Sequence, residues 1–181
     1  MPKYIQDWHD YVDRHPERHC EDIKQLKKLI EDLLARDDIW YDPTDVEAFI
    51  SFCGLLRHKE GRWAGQPLEL SLEQKYIAAC VFGIKWHDPE LDMDVRYFRE
   101  MVLLVARKWG KSTFISALAA YMLMLDGEPA AQVWCLATVK SQAAIVYENT
   151  KALLQSSPYL TPPDNPRKYW RTKRDRDNAE M

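Results

Sequence analysis

Residues 100–125 constrain this chain more than any other stretch. Glu100 to Ala106 (EMVLLVA) is an almost continuous apolar run. Arg107 to Thr113 (RKWGKST) then gathers three cations, a tryptophan, one glycine and two hydroxyls, and Phe114 to Leu125 is apolar again. A short apolar run bounded by turn residues reads as a strand buried on both faces. The segment after it, residues 111–125, reads as a helix apolar nearly all round, which implies burial. Gly127 and Pro129 in DGEP stop that helix. A second buried strand is expected in AQVWCLAT, residues 131–138, and a second helix in KSQAAIVYENTKALLQ, residues 140–155. Strand, helix, strand, helix implies parallel pairing through a right-handed crossover, so the expected fold is α/β, a parallel sheet flanked by helices.

Upstream, the pattern is helical. Cys20 to Asp37 places Ile23, Leu26, Ile30, Leu33 and Leu34 on one stripe, with charges opposite. DPTDVEAFISFCGLL reads as a second helix, with Thr44 or Asp45 as its cap and Val46, Phe49, Ile50 and Phe52 as apolar contacts. RHKEGRWAGQP is a loop. Ser71 with Gln74 three residues on forms a capping-box signature for an apolar helix ending near Gly83, and HDPELDMDVRYF is a polar, turn-rich link. After Ser156, four prolines and RKYWRTKRDR end the periodicity, so little regular structure is expected there. These shifts divide the chain into a helical N-terminal segment (1–60), a central domain (61–157) and a basic tail (158–181). The tail's Arg167, Lys168, Arg171, Lys173, Arg174 and Arg176 are interleaved with Tyr169 and Trp170, a composition that suits nucleic acid, although a frayed terminus is the simpler account.

The totals exclude several classes. With 181 residues and 46% hydrophobic content the chain can bury a real core, so it is not a disordered tail. A net charge of -3 supplies no global attraction to nucleic acid. Cys20, Cys53, Cys80 and Cys135 are far apart, as expected of reduced thiols in a cytoplasmic protein. His15, His19 and Cys20 cluster, but no second ligand pair follows at zinc spacing. The longest apolar stretch, Phe114 to Leu125, is 12 residues, against the roughly 20 needed to span a bilayer.

The basic turn between the two apolar elements is the candidate site. A phosphate-binding loop needs converging backbone N–H groups, a glycine where a side chain would block the phosphate, a lysine for the outer phosphates and a hydroxyl for magnesium. Gly110, Lys111 and Ser112 occur in that order after an apolar run and before a helix. The strict pattern also asks for glycine at position 105, where this chain has valine. Arg107 and Lys108 add like charge beside Lys111, which is costly without an anion.

With those residues in view, Ala106-Arg107-Lys108-Trp109-Gly110-Lys111-Ser112-Thr113 resembles the variant Walker A loop of the large terminase subunit of tailed bacteriophages, which often lacks the first glycine. Upstream, HKEGRWAGQPLELSLEQKYIAACVFGIKW is similar to that family's Q-motif segment, with Gln74 at the adenine-reading glutamine. Downstream, the stretch ending at Ala137-Thr138 and Gln142-Ala143 is similar to the segment after the family's loop. The resemblance runs from about residue 40 to 160. It implies an incomplete P-loop NTPase-like domain, with ATP and Mg²⁺ as cofactors.

In that reading Lys111 binds the β and γ phosphates, Ser112 holds Mg²⁺, and the amides of Gly110 to Thr113 cradle the phosphates. Lys108 joins the phosphate-binding set, and Arg107 corresponds to an arginine finger acting in cis. Arg107 and Lys111 are thus the implied catalytic residues, with Gln74, Arg107, Lys108, Gly110, Lys111, Ser112 and Thr113 implied in nucleotide binding. The family also implies double-stranded DNA, a portal protein and a small terminase subunit as partners, and a homo-oligomer when intact. A Walker B Asp-Glu strand and a nuclease carboxylate cluster are absent from this sequence, which suggests the N-terminal part of a DNA-packaging ATPase with exposed core surface. A non-catalytic nucleotide- or partner-binding module is the alternative; an unrelated P-loop kinase fits less well.

Overall fold

The computed structural model describes residues 1–59, 61–162 and 164. Residues 167–176, the basic tail with its Tyr169 and Trp170, lie outside the described residues. Contacts divide the chain into two units: unit 1 is Met1–Ile50 with Leu70–Leu104, and unit 2 is Ser51–Glu69 with Val105 onward.

Unit 1 opens with α1 (Lys3–Arg14), which buries Ile5, Trp8, His9 and Val12, a stripe at helical spacing. Trp8 stacks on Tyr76 with ring centroids 5.8 Å apart. Tyr11, His15 and His19 complete an aromatic cluster beside it. The expected amphipathic helix is α2 (Glu21–Leu34), which buries Ile30 and Leu33 and leaves Leu26 in solvent. Next comes α3 (Thr44–Leu55), which passes from unit 1 into unit 2. It buries Val46, Phe49, Phe52 and Cys53. Its start is held by Asp42 rather than by Thr44 or Asp45: the Asp42 carboxylate accepts from the Thr44 N–H at 2.9 Å. Asp42 also takes a hydrogen bond from Lys85 at 2.8 Å. The Lys85 bond and those from Thr44 hold its carboxyl well below the usual range.

The capping box forms as expected at α4 (Leu72–Ala78). A π-helical turn, Ala79–Gly83, follows it. The turn-rich link is in fact a hairpin: β2 (Ile84–Asp88) pairs antiparallel with β3 (Met93–Arg96), and on its other edge with β1 (Ile39–Tyr41). The order is β1-β2-β3. Asp88 closes the turn, its Oδ1 accepting from the N–H of Glu90 at 2.9 Å and of Leu91 at 3.3 Å. Phe82 packs on Phe49 at 5.1 Å between centroids, with the Arg96 guanidinium 4.6 Å from its ring. Gly83 has no room for a side chain, because an added Cβ would fall inside the Tyr41 ring.

This architecture corrects the expected fold class. The sheet is three-stranded and antiparallel, not the parallel sheet of a P-loop NTPase. Neither residues 100–106 nor 131–138 form a strand. A strand buried on both faces requires neighbours for its backbone groups and side chains. Among the described residues these runs have no ladder partner, and Val102, Leu104, Trp134 and Leu136 are 94%, 95%, 76% and 88% exposed.

In unit 2 the two expected helices are present as α5 (Lys111–Met124) and α6 (Lys140–Ser156). They are joined by hydrogen bonds from Ser116 Oγ to the Val146 carbonyl at 3.3 Å and from Thr150 Oγ1 to the Ser116 carbonyl at 3.4 Å. Contrary to the expectation of burial all round, α5 buries one side through Phe114, Ala117, Ala120 and Tyr121, while Met122 and Leu123 are exposed. Phe52 meets Tyr121 edge-on at 5.8 Å. A short antiparallel ladder bonds Leu68 to Leu56 at 3.0 Å and His58 to Gln66 at 3.0 Å. Ser156 Oγ ties the end of α6 to this ladder by donating to the Arg57 carbonyl at 2.8 Å.

The cysteines are all free. Cys53 and Cys80 are buried, which pushes each thiol up to about 12. Among the described residues no helix is long and apolar enough to cross a membrane.

Candidate functional site

The loop at 106–110 is shaped by a turn and two left-handed residues. The Trp109 N–H donates to the Ala106 carbonyl at 3.4 Å, with Arg107 and Lys108 in the turn. Lys108 has φ 71° and Gly110 has φ 95°. A non-glycine residue in that region costs of order 1 kcal/mol and persists where surrounding structure enforces it. Trp109, between the two, is half-buried and meets the buried Phe114 edge-on at 5.8 Å, which anchors the loop to the helix it precedes.

Gly110 is the N-cap of α5 and offers no side-chain cap. The first backbone bond of this helix runs from the Phe114 N–H to the Gly110 carbonyl at 2.9 Å. The amides of Lys111, Ser112 and Thr113 precede it, and the first-turn N–H groups of a helix have no acceptor within the helix. They carry the positive end of the helix dipole, which favours an anion. Arg107, Lys108 and Lys111 are exposed, and none is ion-paired among the described residues. Ser112 and Thr113 are half-buried in the same turn. The loop therefore joins three cations with no ion-pair partner among the described residues, uncapped amides and two hydroxyls.

The remaining sequence candidate, Gln74, is buried in unit 1. Its Oε1 accepts from the Ser71 N–H at 3.0 Å, and its own N–H donates to Ser71 Oγ at 3.2 Å. That geometry is a helix cap. The loop residues belong to unit 2, so six of the seven candidates fall within residues 107–113 and the seventh caps a helix.

Sequence reasoning gave no sign of a cleft of about 260 Å³ in unit 2, lined by His58, Lys59, Thr113, Asn149, Ala152 and Leu153. Thr113 links it to the first turn of α5. His58 and Asn149 lie far apart in the chain and in no shared motif, so only the packing of α6 against the segment around Arg57, tied by Ser156, brings them together. A wider cleft in unit 1 is flanked by Arg36 and Arg99. Both guanidiniums are already paired, with Asp38 and Asp88.

A cation-rich loop opening an uncapped helix is an arrangement that favours an anion. A family model described as the terminase large subunit, ATPase domain, matches residues 74–165, just over half of the chain. The chain belongs to this family, and the matched region is a terminase-type ATPase module. Membership brings nucleotide binding in general terms and an association with DNA-packaging partners. No curated protein and no solved structure matches the chain.

Proposed function

We propose that the 106–113 loop binds ATP with Mg²⁺. The observation that carries the reading is the uncapped first turn of α5 beside three cations that have no ion-pair partner among the described residues. Lys111 neutralises the β and γ phosphates, and the amides of Gly110 to Thr113 receive phosphate oxygens. Ser112 would hold Mg²⁺ through its hydroxyl, and the ion would supply positive charge to offset the phosphates. Lys108 adds charge to the cradle, and Arg107 is the candidate for offsetting charge that develops on the transferred phosphoryl group. Gln74 is the weaker assignment, since its amide oxygen already serves the backbone of Ser71.

In the motor that packages double-stranded DNA, the same loop would drive movement against the portal protein and small terminase subunit in an oligomer. By itself the chain is expected to bind ATP and to hydrolyse it negligibly, because the sequence supplies no Asp-Glu pair at a strand end to orient water. The test is an ATP titration with and without Mg²⁺. Wild-type protein should saturate, and Lys111→Ala should lose at least tenfold in affinity. Equal affinity in the two proteins would refute the assignment, and robust turnover by wild type abolished in Lys111→Ala would refute the expectation of negligible hydrolysis.

A further inference from the structure

We infer that the aromatic cleft of unit 1 receives the proline-rich, basic segment 158–176 of a second copy of this chain. The contact is independent of the phosphate loop.

The cleft has a supported aromatic floor. Trp86 lies on β2, and Tyr97 and Phe98 follow directly on β3. The Tyr97 N–H donates to the Ile84 carbonyl at 2.9 Å, which holds this segment beside β2. Tyr97 meets Trp86 edge-on with centroids 6.4 Å apart, and Phe98 in the same way at 5.1 Å. All three rings are half-buried, so each leaves surface open to the cleft. Its volume of about 620 Å³ lies inside the roughly 300–1,000 Å³ range of binding pockets. Arg36, Arg99 and Glu100 complete the lining.

Charge selects the occupant. Arg36 is paired with Asp38 and Arg99 with Asp88, so both guanidiniums are offset, while Glu100 has no ion-pair partner among the described residues. Unit 1 as a whole holds 19 Asp and Glu against 11 Lys and Arg. Such a surface repels a phosphodiester chain and attracts a cationic one. The sequence carries a segment of that kind. Pro163-Asp164-Asn165-Pro166 is followed by Arg167 and Lys168, and then by Arg171, Lys173, Arg174 and Arg176. A polyproline helix has three residues per turn, so Pro163 and Pro166 would share one face of it. Segments of this pattern dock on aromatic-lined grooves. Arg167 and Lys168, next to the docked prolines, are then the partners for Glu100. Asp164, the described residue among the four, is exposed in a turn and not tied into a helix or strand.

Sedimentation of the full chain at rising concentration tests the contact. Wild type carries both halves of a head-to-tail interface and should self-associate. Pro163→Ala with Pro166→Ala removes the docking face, and Phe98→Ala removes part of the cleft floor. Each should weaken self-association by about tenfold or more. An equimolar mixture of the two variants has one intact segment and one intact cleft, so it should form heterodimers at a concentration where neither variant associates alone. That recovery also shows that the variants have not merely misfolded. A monomeric wild type, unchanged association in either variant, or a mixture that stays monomeric would overturn the inference. Labelled oligothymidine that binds the proline variant and loses its affinity for Phe98→Ala would assign the cleft to nucleic acid and overturn it as well.

Discussion

The three-stranded sheet and the two apolar runs behave opposite to their sequences. IWY, IKWHD and MDVR are short, and the last two carry charges, yet they form a continuous antiparallel sheet. EMVLLVA and AQVWCLAT have the composition of interior strands, yet among the described residues neither is paired, and Leu104 is 95% exposed. Pairing is thus decided by available neighbours, not by apolarity. A hairpin turn supplies β2 and β3 with each other at low entropic cost. A parallel strand depends on a crossover and on flanking elements that these described residues do not provide.

The comparison is tested most sharply by removing a core residue beside the sheet. Phe82→Ala deletes a fully buried ring packed on Phe49 and Arg96. It should cost about 3–5 kcal/mol, seen as a large drop in the midpoint of denaturant unfolding. Gly83→Ala forces a methyl into the Tyr41 ring. The expected loss is about 1–3 kcal/mol, and an unchanged midpoint would mean that β1 is held less tightly than its register implies.

A smaller effect is expected from pH. His9 is buried in α1 with Glu31 Oε1 3.2 Å from its Nδ1. Burial outweighs the carboxylate, and its pKa is lowered from the usual 6.5. The unfolded chain therefore binds the proton more tightly, so this contribution to stability is full above pH 6.5 and declines as pH falls towards the folded value. His9→Phe should flatten that limb of a stability-against-pH curve. The smallest effect belongs to the unpaired run: Leu104→Lys should shift thermal stability by no more than about 0.5 kcal/mol. A cost of several kcal/mol would show that Leu104 is covered in solution and would erase the contrast with the sheet.

Much of the candidate loop was legible in the sequence because its chemistry is local. Gly110, Lys111 and Ser112 must be consecutive to serve one helix terminus, and so they appear together in the chain. Ser71 and Gln74 were legible for the same reason, since a capping box closes within one helical turn. The cleft was not, because His58 and Asn149 meet only through the packing of distant segments.

Local periodicity determined α2 to α6 and the position of the basic loop, since a helix satisfies its backbone within itself. Strand identity was decided by tertiary structure, since each strand must find its hydrogen-bond partners on another part of the chain. That is why three short segments of mixed composition became the sheet while the most strand-like runs did not.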